Sequence, residues 1–215
     1  MNNPEAKTTE TCALGEAEDS MPGAGEQKEP LKDFLFFQNH TLTEQGKALK
    51  NVRLLECVNV PMERRVVAQV RSWQVARMLR RDFNLYSVHV FFRMQRACPE
   101  EKKAVREVIA EILAQATVLS FAVREIPGAV IDESFEIETI PVRLISRDTS
   151  FLYRAIMSLD EPFARLGSAY RRGLIPPEET NEMLSPCLEA YRYLRTMLWS
   201  PDWKLATEAD IRALG

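Results

Sequence analysis

The sequence predicts a mainly α-helical α+β protein with a few short strands, in which a ribbon-helix-helix-like unit is embedded in a larger helical domain. Three observations predict this class. Apolar residues recur at helical spacing over much of the chain, two short segments alternate as strands do, and each of these is followed by a serine that can cap a helix. The 215-residue length and the 46% hydrophobic content are those of an ordinary globular protein.

Charge is distributed unevenly along the chain. Residues 1–33 hold eight acids and three lysines, a net charge of −5, whereas the whole chain carries −3. Residues 1–32 have almost no large apolar side chains, so we expect a disordered acidic tail. We expect residues 33–215 to form a single folded domain that begins with the apolar run at residues 33–37.

The first alternating segment, residues 65–71, reads RVVAQVR and predicts a half-buried strand. One face carries Val66, Ala68 and Val70, and the other carries Arg65, Val67, Gln69 and Arg71. Two such strands, paired antiparallel, can enter the DNA major groove, where arginine suits guanine and glutamine suits adenine. We therefore predict that Arg65, Gln69 and Arg71 read base edges. A core strand with solvated arginines would show the same alternation.

The helices of the predicted unit follow this strand. Ser72 is a good N-cap for the next helix, and residues 82–84 predict a turn, because asparagine tolerates the left-handed conformation. Residues 86–97 fit either a strand or a helix that Ser87 opens. The ribbon-helix-helix-like unit would then span about residues 64–97.

Arginine is concentrated in the same segment. Residues 62–96 carry eight arginines against two acids, a local charge of +6. Such a patch suits a phosphate backbone, although a solvated helix face paired with acids elsewhere would have the same composition. The predicted phosphate contacts are arginines and serines beside the strand and at the two helix starts: Arg64, Ser72, Arg77, Arg80, Arg81 and Ser87.

Further elements are predicted after this unit. A helix extends from Pro99 to about Ala116, with acids in its first turn, and strands are predicted at residues 117–123 and 134–145. The C-terminal helical part, residues 140–215, holds two long helices. The first contains Leu152, Ile156, Leu159, Phe163, Leu166 and Tyr170 and ends at Gly173, and the second begins at Pro177 and ends near Trp199.

A second candidate ribbon lies at residues 140–146, which read IPVRLIS and also lead into serine caps and helices. Its candidate DNA contacts are Arg143 and Arg147. Either the two ribbons pair within one chain, or the first ribbon pairs across a homodimer while the second half is a scaffold. We favour the homodimer, because a two-fold pair would place two copies of Arg65 and Gln69 in one groove.

The sequence lacks the patterns that support catalysis or metal binding. The two histidines, His40 and His89, have no metal-ligand spacing, the four cysteines form no CxxC pair, and no nucleotide-binding or hydrolase motif occurs. We expect no catalytic residue, no metal, no cofactor and free thiols in a reducing compartment. Since neither a signal peptide nor a membrane-spanning apolar run is found, we expect a cytoplasmic protein that does not bind membranes.

Two stretches resemble a known family. They are VVAQVRSWQVARML, from Val66, and the stretch that begins TIPVRLISRDTSFLYRAIMSLDEPFARLGSAYRRGLIPPEETNEML and ends YRYLRTMLW. Within residues 66–203 they resemble the AcaB-like transcriptional regulators of conjugative plasmids and integrating conjugative elements. The resemblance implies a ribbon-helix-helix-like DNA reader that regulates conjugative-transfer genes, and we expect an activator.

Two functions are therefore open. The preferred one is a homodimeric, sequence-specific DNA-binding regulator whose partners are double-stranded DNA and, through the acidic tail, RNA polymerase. The alternative is a non-enzymatic accessory factor of conjugation that binds other proteins through aromatic side chains. Those side chains are Tyr170, Tyr191, Tyr193, Trp199 and Trp203.

Overall fold

The structure, a computed structural model, describes residues 55, 58, 60, 63–131 and 136–199. The predicted acidic tail, the apolar run at residues 33–37 and Trp203 lie outside the described residues. In the described part, long helices accompany a two-stranded antiparallel sheet. The predicted mainly helical α+β class is therefore confirmed.

Two seven-residue strands of one chain form the sheet. β1 (Arg64–Val70) pairs with β2 (Glu138–Leu144), and they confirm the strands predicted at residues 65–71 and 134–145 with shifted or shorter bounds. Because side chains alternate along a strand, one face of the sheet is buried and the other faces outward. The buried face consists of Ala68, Val70, Ile140, Val142 and Leu144.

This pairing corrects the preferred prediction of a ribbon formed across a homodimer. β1 finds its partner in the second candidate ribbon of the same chain, so the intramolecular alternative is the one observed. Side chains from both strands pack into one common hydrophobic core. An intramolecular partner also avoids the translational and rotational entropy that is lost when two chains associate.

β1 leads into a helix that continues without a break to Arg96. Its parts are α1 (Trp73–Arg77), a π-helical segment (Met78–Phe83) and α2 (Asn84–Arg96). Ser72 is the N-cap, as predicted, and its hydroxyl accepts a 3.3 Å hydrogen bond from the Val75 amide.

The continuity of this helix overturns one prediction and decides between two alternatives that the sequence left open. The turn predicted at residues 82–84 is wrong. Residues 86–96 form a helix rather than a strand, and this helix begins ahead of Ser87, which therefore does not open it. Core residues recur at helical spacing across the segment, at Phe83, Tyr86 and Val90. Their burial outweighs the local turn preference of the intervening asparagine.

α3 (Pro99–Arg124) is longer than predicted. It begins at Pro99, and Glu101 accepts a 3.1 Å hydrogen bond from the Cys98 amide, but the helix continues past Ala116. The strand predicted at residues 117–123 is therefore wrong. The buried stripe keeps its helical spacing to the end: Val105, Val108, Ile109, Ile112, Ala116, Leu119 and Val123. That stripe outweighs the β propensity of the last turns.

α3 packs against the three helices that follow β2, namely α4 (Arg147–Met157), α5 (Asp160–Arg171) and α6 (Pro177–Leu198). The single helix predicted to end at Gly173 is thus two helices, α4 and α5. Gly173 follows α5 with a φ of 69°, which suits a glycine after a helix end.

An aromatic cluster joins α2 to α6. The Tyr86 and Tyr191 rings stack with their centroids 5.4 Å apart, and the Trp199 ring lies 4.7 Å from the His89 ring. The Tyr191 hydroxyl donates a 3.2 Å hydrogen bond to Asp82. Because His89 is buried, desolvation lowers its pKa to about 4.

Candidate nucleic-acid interface

The outward face of the sheet, called the ribbon face below, is built from three cross-strand pairs. These are Arg65–Arg143, Val67–Pro141 and Gln69–Thr139. Both residues of the central pair are exposed, and the Val67 side chain is 64% exposed. A two-stranded ribbon fits the roughly 12 Å width of the DNA major groove, so alternate side chains of such a face can meet base edges.

The three residues predicted to read bases occupy different positions. Arg65 and Gln69 lie on the ribbon face, separated by Val67 on the same strand. Arg71 follows the end of β1 and is exposed there. The structure therefore brings Arg65 and Gln69 onto one surface and places Arg71 at its edge.

A carboxylate lies between the two arginines at one end of the ribbon face. Glu63 Oε1 is 2.8 Å from Arg65 Nε, and Glu63 Oε2 is 2.8 Å from Arg143 Nη2. Hydrogen bonds from Arg143 and then Arg65 hold the pKa of Glu63 below its ordinary value. The Arg65 side chain is 84% exposed, so its ion pair with Glu63 competes with water and contributes little to stability.

Arg143, predicted as a DNA contact, has a structural role. Its side chain is only 18% exposed, and its guanidinium donates hydrogen bonds to the carbonyl oxygens of Leu55 and Val58. The bond to the Val58 carbonyl measures 2.9 Å. Leu55 and Val58 pack in a small apolar cluster with Val88, Phe92 and Ile145. Arg143 therefore fixes the chain beside the ribbon face rather than extending from it.

A buried carboxylate holds the opposite end of β1. Asp160 Oδ1 accepts a 2.7 Å hydrogen bond from the Ser72 amide and a 3.0 Å hydrogen bond from the Arg71 amide. Burial raises the pKa of Asp160, and the hydrogen bonds from these two amides oppose that effect. Asp160 begins α5, so the contact ties α5 to the turn between β1 and α1. The sequence gives no signal for it, because 88 residues separate Asp160 from Ser72.

The two serines predicted to bind phosphate are both buried. The Ser72 hydroxyl caps α1, and the Ser72 amide is already bonded to Asp160. Ser87 lies inside α2, where no helix N-terminus exists. The structure therefore places neither hydroxyl on a surface that a phosphate could reach.

Two of the predicted DNA contacts flank one end of the ribbon face, namely Arg64, a predicted phosphate contact, and Arg147, a candidate contact of the second ribbon. Arg64 begins β1 opposite Leu144, and Arg147 follows Leu144 by three residues at the start of α4. Both arginines are exposed. Together with Arg65 they make this end of the ribbon the more positively charged one.

The other predicted phosphate contacts are engaged within the fold. Arg80 Nη1 is 2.9 Å from Glu138 Oε1, and Arg81 Nε is 2.7 Å from Asp82 Oδ1. Arg77 is buried, and its guanidinium lies 5.7 Å from the centre of the Trp73 ring. Of these three, Arg80 is exposed, at the end of the ribbon opposite Arg64.

No known protein family, curated protein or solved structure matches this chain. The resemblance to AcaB-like regulators therefore stays a prediction from sequence. Among the residues that the structure describes, no three His, Cys, Asp or Glu side chains are grouped to hold a metal ion. In the same part of the chain, no helix combines the length and hydropathy of a membrane span.

The aromatic residues of the alternative function are mostly part of the core. Tyr191 is buried, and Tyr170 and Trp199 are partly buried against the main core. Tyr193 is exposed on α6, beside an open groove between α3 and α6 that Pro186 also lines. Among the described members of that set, Tyr193 alone is exposed.

Proposed function

We propose that this protein is a sequence-specific DNA-binding regulator that inserts its ribbon face into the major groove of double-stranded DNA. The observation that carries the proposal is the antiparallel pairing of β1 with β2, which buries one face of the ribbon and leaves the other outward. A major groove presents a distinct donor and acceptor pattern for each base pair, which side chains on such a face can read.

The chemistry of the outward side chains supports this proposal. The five N–H donors of Arg65 match the two acceptors of guanine, and the amide of Gln69 matches the donor and acceptor of adenine. Val67 and Pro141 lie between them and suit contact with a thymine methyl group. Arg64 and Arg147 supply positive charge for the phosphate backbone at one end.

The cellular role follows from the resemblance rather than from geometry. In this proposal the protein activates conjugative-transfer genes. The acidic N-terminal residues would contact RNA polymerase.

The alternative function, a protein-binding accessory factor of conjugation, is favoured by a different surface. Val118 and Phe121 are exposed on α3, and Tyr193 is exposed on α6. Exposed apolar side chains of this size are typical of protein interfaces when they form one patch. If the alternative holds, substitutions on the ribbon face leave function intact, whereas Phe121→Ser impairs it.

A binding titration tests the proposed function. Labelled promoter duplexes from the replicon that carries the gene are titrated with the full chain at about 50 and 200 mM salt, with excess competitor DNA. We expect one fragment to be retained at the higher salt, and Arg65→Ala and Gln69→Ala each to weaken that retention about tenfold or more. Arg192→Ala is the matched control, because Arg192 is an exposed arginine on α6.

The two possible failures have different meanings. If Arg192→Ala weakens binding as much as Arg65→Ala does and Gln69→Ala has no effect, only net charge matters and the ribbon is not the reader. If no fragment is preferred at either salt concentration, the protein is not a sequence-specific regulator.

A further inference from the structure

The two strands of the ribbon are related by a local two-fold axis. Each strand has seven residues, and the register pairs the fourth residue of β1, Val67, with the fourth residue of β2, Pro141. Pairing of equivalent positions at the centre of an antiparallel ladder means that a two-fold rotation exchanges the strands. The axis passes between Val67 and Pro141.

The N-termini of the helices that follow the two strands are related in the same way. Ser72 is the second residue after β1, and Ser146 is the second residue after β2. Each serine caps the next helix, since the Ser72 hydroxyl accepts a hydrogen bond from the Val75 amide and the Ser146 hydroxyl accepts one from the Thr149 amide.

Each half of the chain also contacts the start of the helix that follows the other half's strand. Asp160, in the second half, bonds to the Ser72 amide at the start of the first half's helix. Arg106, on α3 in the first half, donates a 2.8 Å hydrogen bond from Nε to Asp148 at the start of α4. One chain therefore supplies both halves of a ribbon that two identical chains would otherwise share.

The side chains on the ribbon face do not follow this symmetry. The two-fold rotation exchanges Arg65 with Thr139 and Gln69 with Arg143, and each exchange joins unlike side chains. One end of the ribbon face thus has two arginines with a carboxylate between them. The other end has an amide and a hydroxyl, both exposed and uncharged.

We infer that one chain recognises one non-palindromic DNA segment, with Arg65 at a G·C pair and Gln69 at an A·T pair. This inference rests on the proposed function. Four residue steps separate Arg65 from Gln69, which is about 13 Å along the strand at 3.3 Å per residue. The two contacts therefore lie about four base pairs apart at 3.4 Å per base pair. A ribbon made of two identical chains would instead read a segment with two-fold symmetry.

A selection experiment tests this inference. A pool of duplexes with 20 randomised base pairs is enriched with the purified full chain at about 150 mM salt and sequenced. The mass of the complex with the enriched duplex, trimmed to its shortest bound length, is then measured by native mass spectrometry. We expect a motif without internal two-fold symmetry and one chain on the trimmed duplex.

Three variants test which residue reads which end of the DNA motif. Arg65→Ala should relax the preference at the G·C end only, and Gln69→Ala should relax it at the A·T end only. Thr139→Arg places an arginine opposite Gln69, so enrichment at that end should shift from A·T toward G·C. Thr139 is exposed, and the melting temperature of each variant shows whether it folds.

The outcomes distinguish failure of the inference from failure of the proposed function. A motif with two-fold symmetry inside one ribbon length, or two chains on the trimmed duplex, overturns the inference and leaves the proposed function standing. Enrichment of no motif overturns the proposed function itself. A non-palindromic motif that none of the three variants alters overturns both the inference and the role of the ribbon in the proposed function, because another surface would then read the DNA.

Discussion

The Asp160 carboxylate and the Ser72 amide form a 2.7 Å hydrogen bond that joins the start of α5 to the end of β1. The same carboxylate accepts a hydrogen bond from the Arg71 amide. One buried side chain thus satisfies two amides that lie just beyond the last paired residue of β1. A side chain in such a position fixes the direction in which the ribbon leaves the helical part.

Asp160→Ala should lower the free energy of unfolding by about 3 kcal/mol, because it leaves buried amides without an acceptor. Urea unfolding at pH 7 measures the change. Glu161→Ala is the control, since Glu161 is the next acid on the same helix and forms half-exposed ion pairs with Arg165 and Arg124. Glu161→Ala should lower the free energy of unfolding by about 0.5 kcal/mol or less. Equal losses for the two variants would contradict the role assigned to Asp160.

His89 should make stability depend on pH. Its pKa is lowered to about 4 in the folded chain by desolvation, whereas an unfolded histidine titrates near 6.5. The stability that the chain has with a neutral His89 is therefore fully present above pH 6.5. It is lost as the pH falls toward 4, and by pH 4.5 the free energy of unfolding has dropped by roughly 2 kcal/mol from this group. Urea unfolding at pH 7.5 and 4.5 should show a smaller loss for His89→Phe than for the wild type.

The comparison between variants isolates the histidine from other groups. Asp160 acts in the opposite direction, because its raised pKa makes the folded chain bind a proton more tightly than the unfolded chain does. It is present in both proteins and cancels in the difference. If His89→Phe and the wild type lose stability in parallel, His89 is charged or solvated in the folded chain.

Glu63→Gln should strengthen DNA binding. The substitution keeps a hydrogen-bond acceptor for Arg143 and removes a negative charge from the end of the ribbon face where Arg65 lies. We expect affinity to rise about two- to fivefold at low salt, with a smaller gain at high salt because exposed charges are screened. Fluorescence anisotropy at two salt concentrations measures both values. A loss of affinity would mean that Glu63 positions Arg65 instead of competing with DNA for it.

Local features of the sequence predicted much of the fold. Alternation predicted both strands, Ser72 was placed as a cap, and Pro99 and Pro177 were placed at helix starts. These features depend on neighbouring residues, so spacing and residue type suffice to find them. The strand predicted at residues 117–123 failed because the buried stripe of α3 continues at helical spacing through Leu119 and Val123.

The arrangement of the candidate site depends on long-range contacts that spacing cannot reveal. Nothing in the residues of β1 shows that β2, rather than a second chain, is its partner. The ion pairs of Glu63 and the burial of Arg77 likewise follow from the tertiary fold. Arginine density predicted a positive surface, but only the structure separates Arg65, which is exposed on the ribbon face, from Arg143, whose guanidinium is hydrogen-bonded to backbone carbonyl oxygens.

The substitution Val67→Glu tests the central claim most directly. Val67 is 64% exposed at the centre of the ribbon face, so a glutamate there should leave the fold intact and repel DNA. Val118→Glu is a matched control, because Val118 is 62% exposed on α3 and the change in net charge is the same. We predict that Val67→Glu weakens binding to the selected duplex about tenfold or more, whereas Val118→Glu changes it less than about twofold. Equal binding by the two variants, both folded, would contradict DNA recognition by the ribbon face.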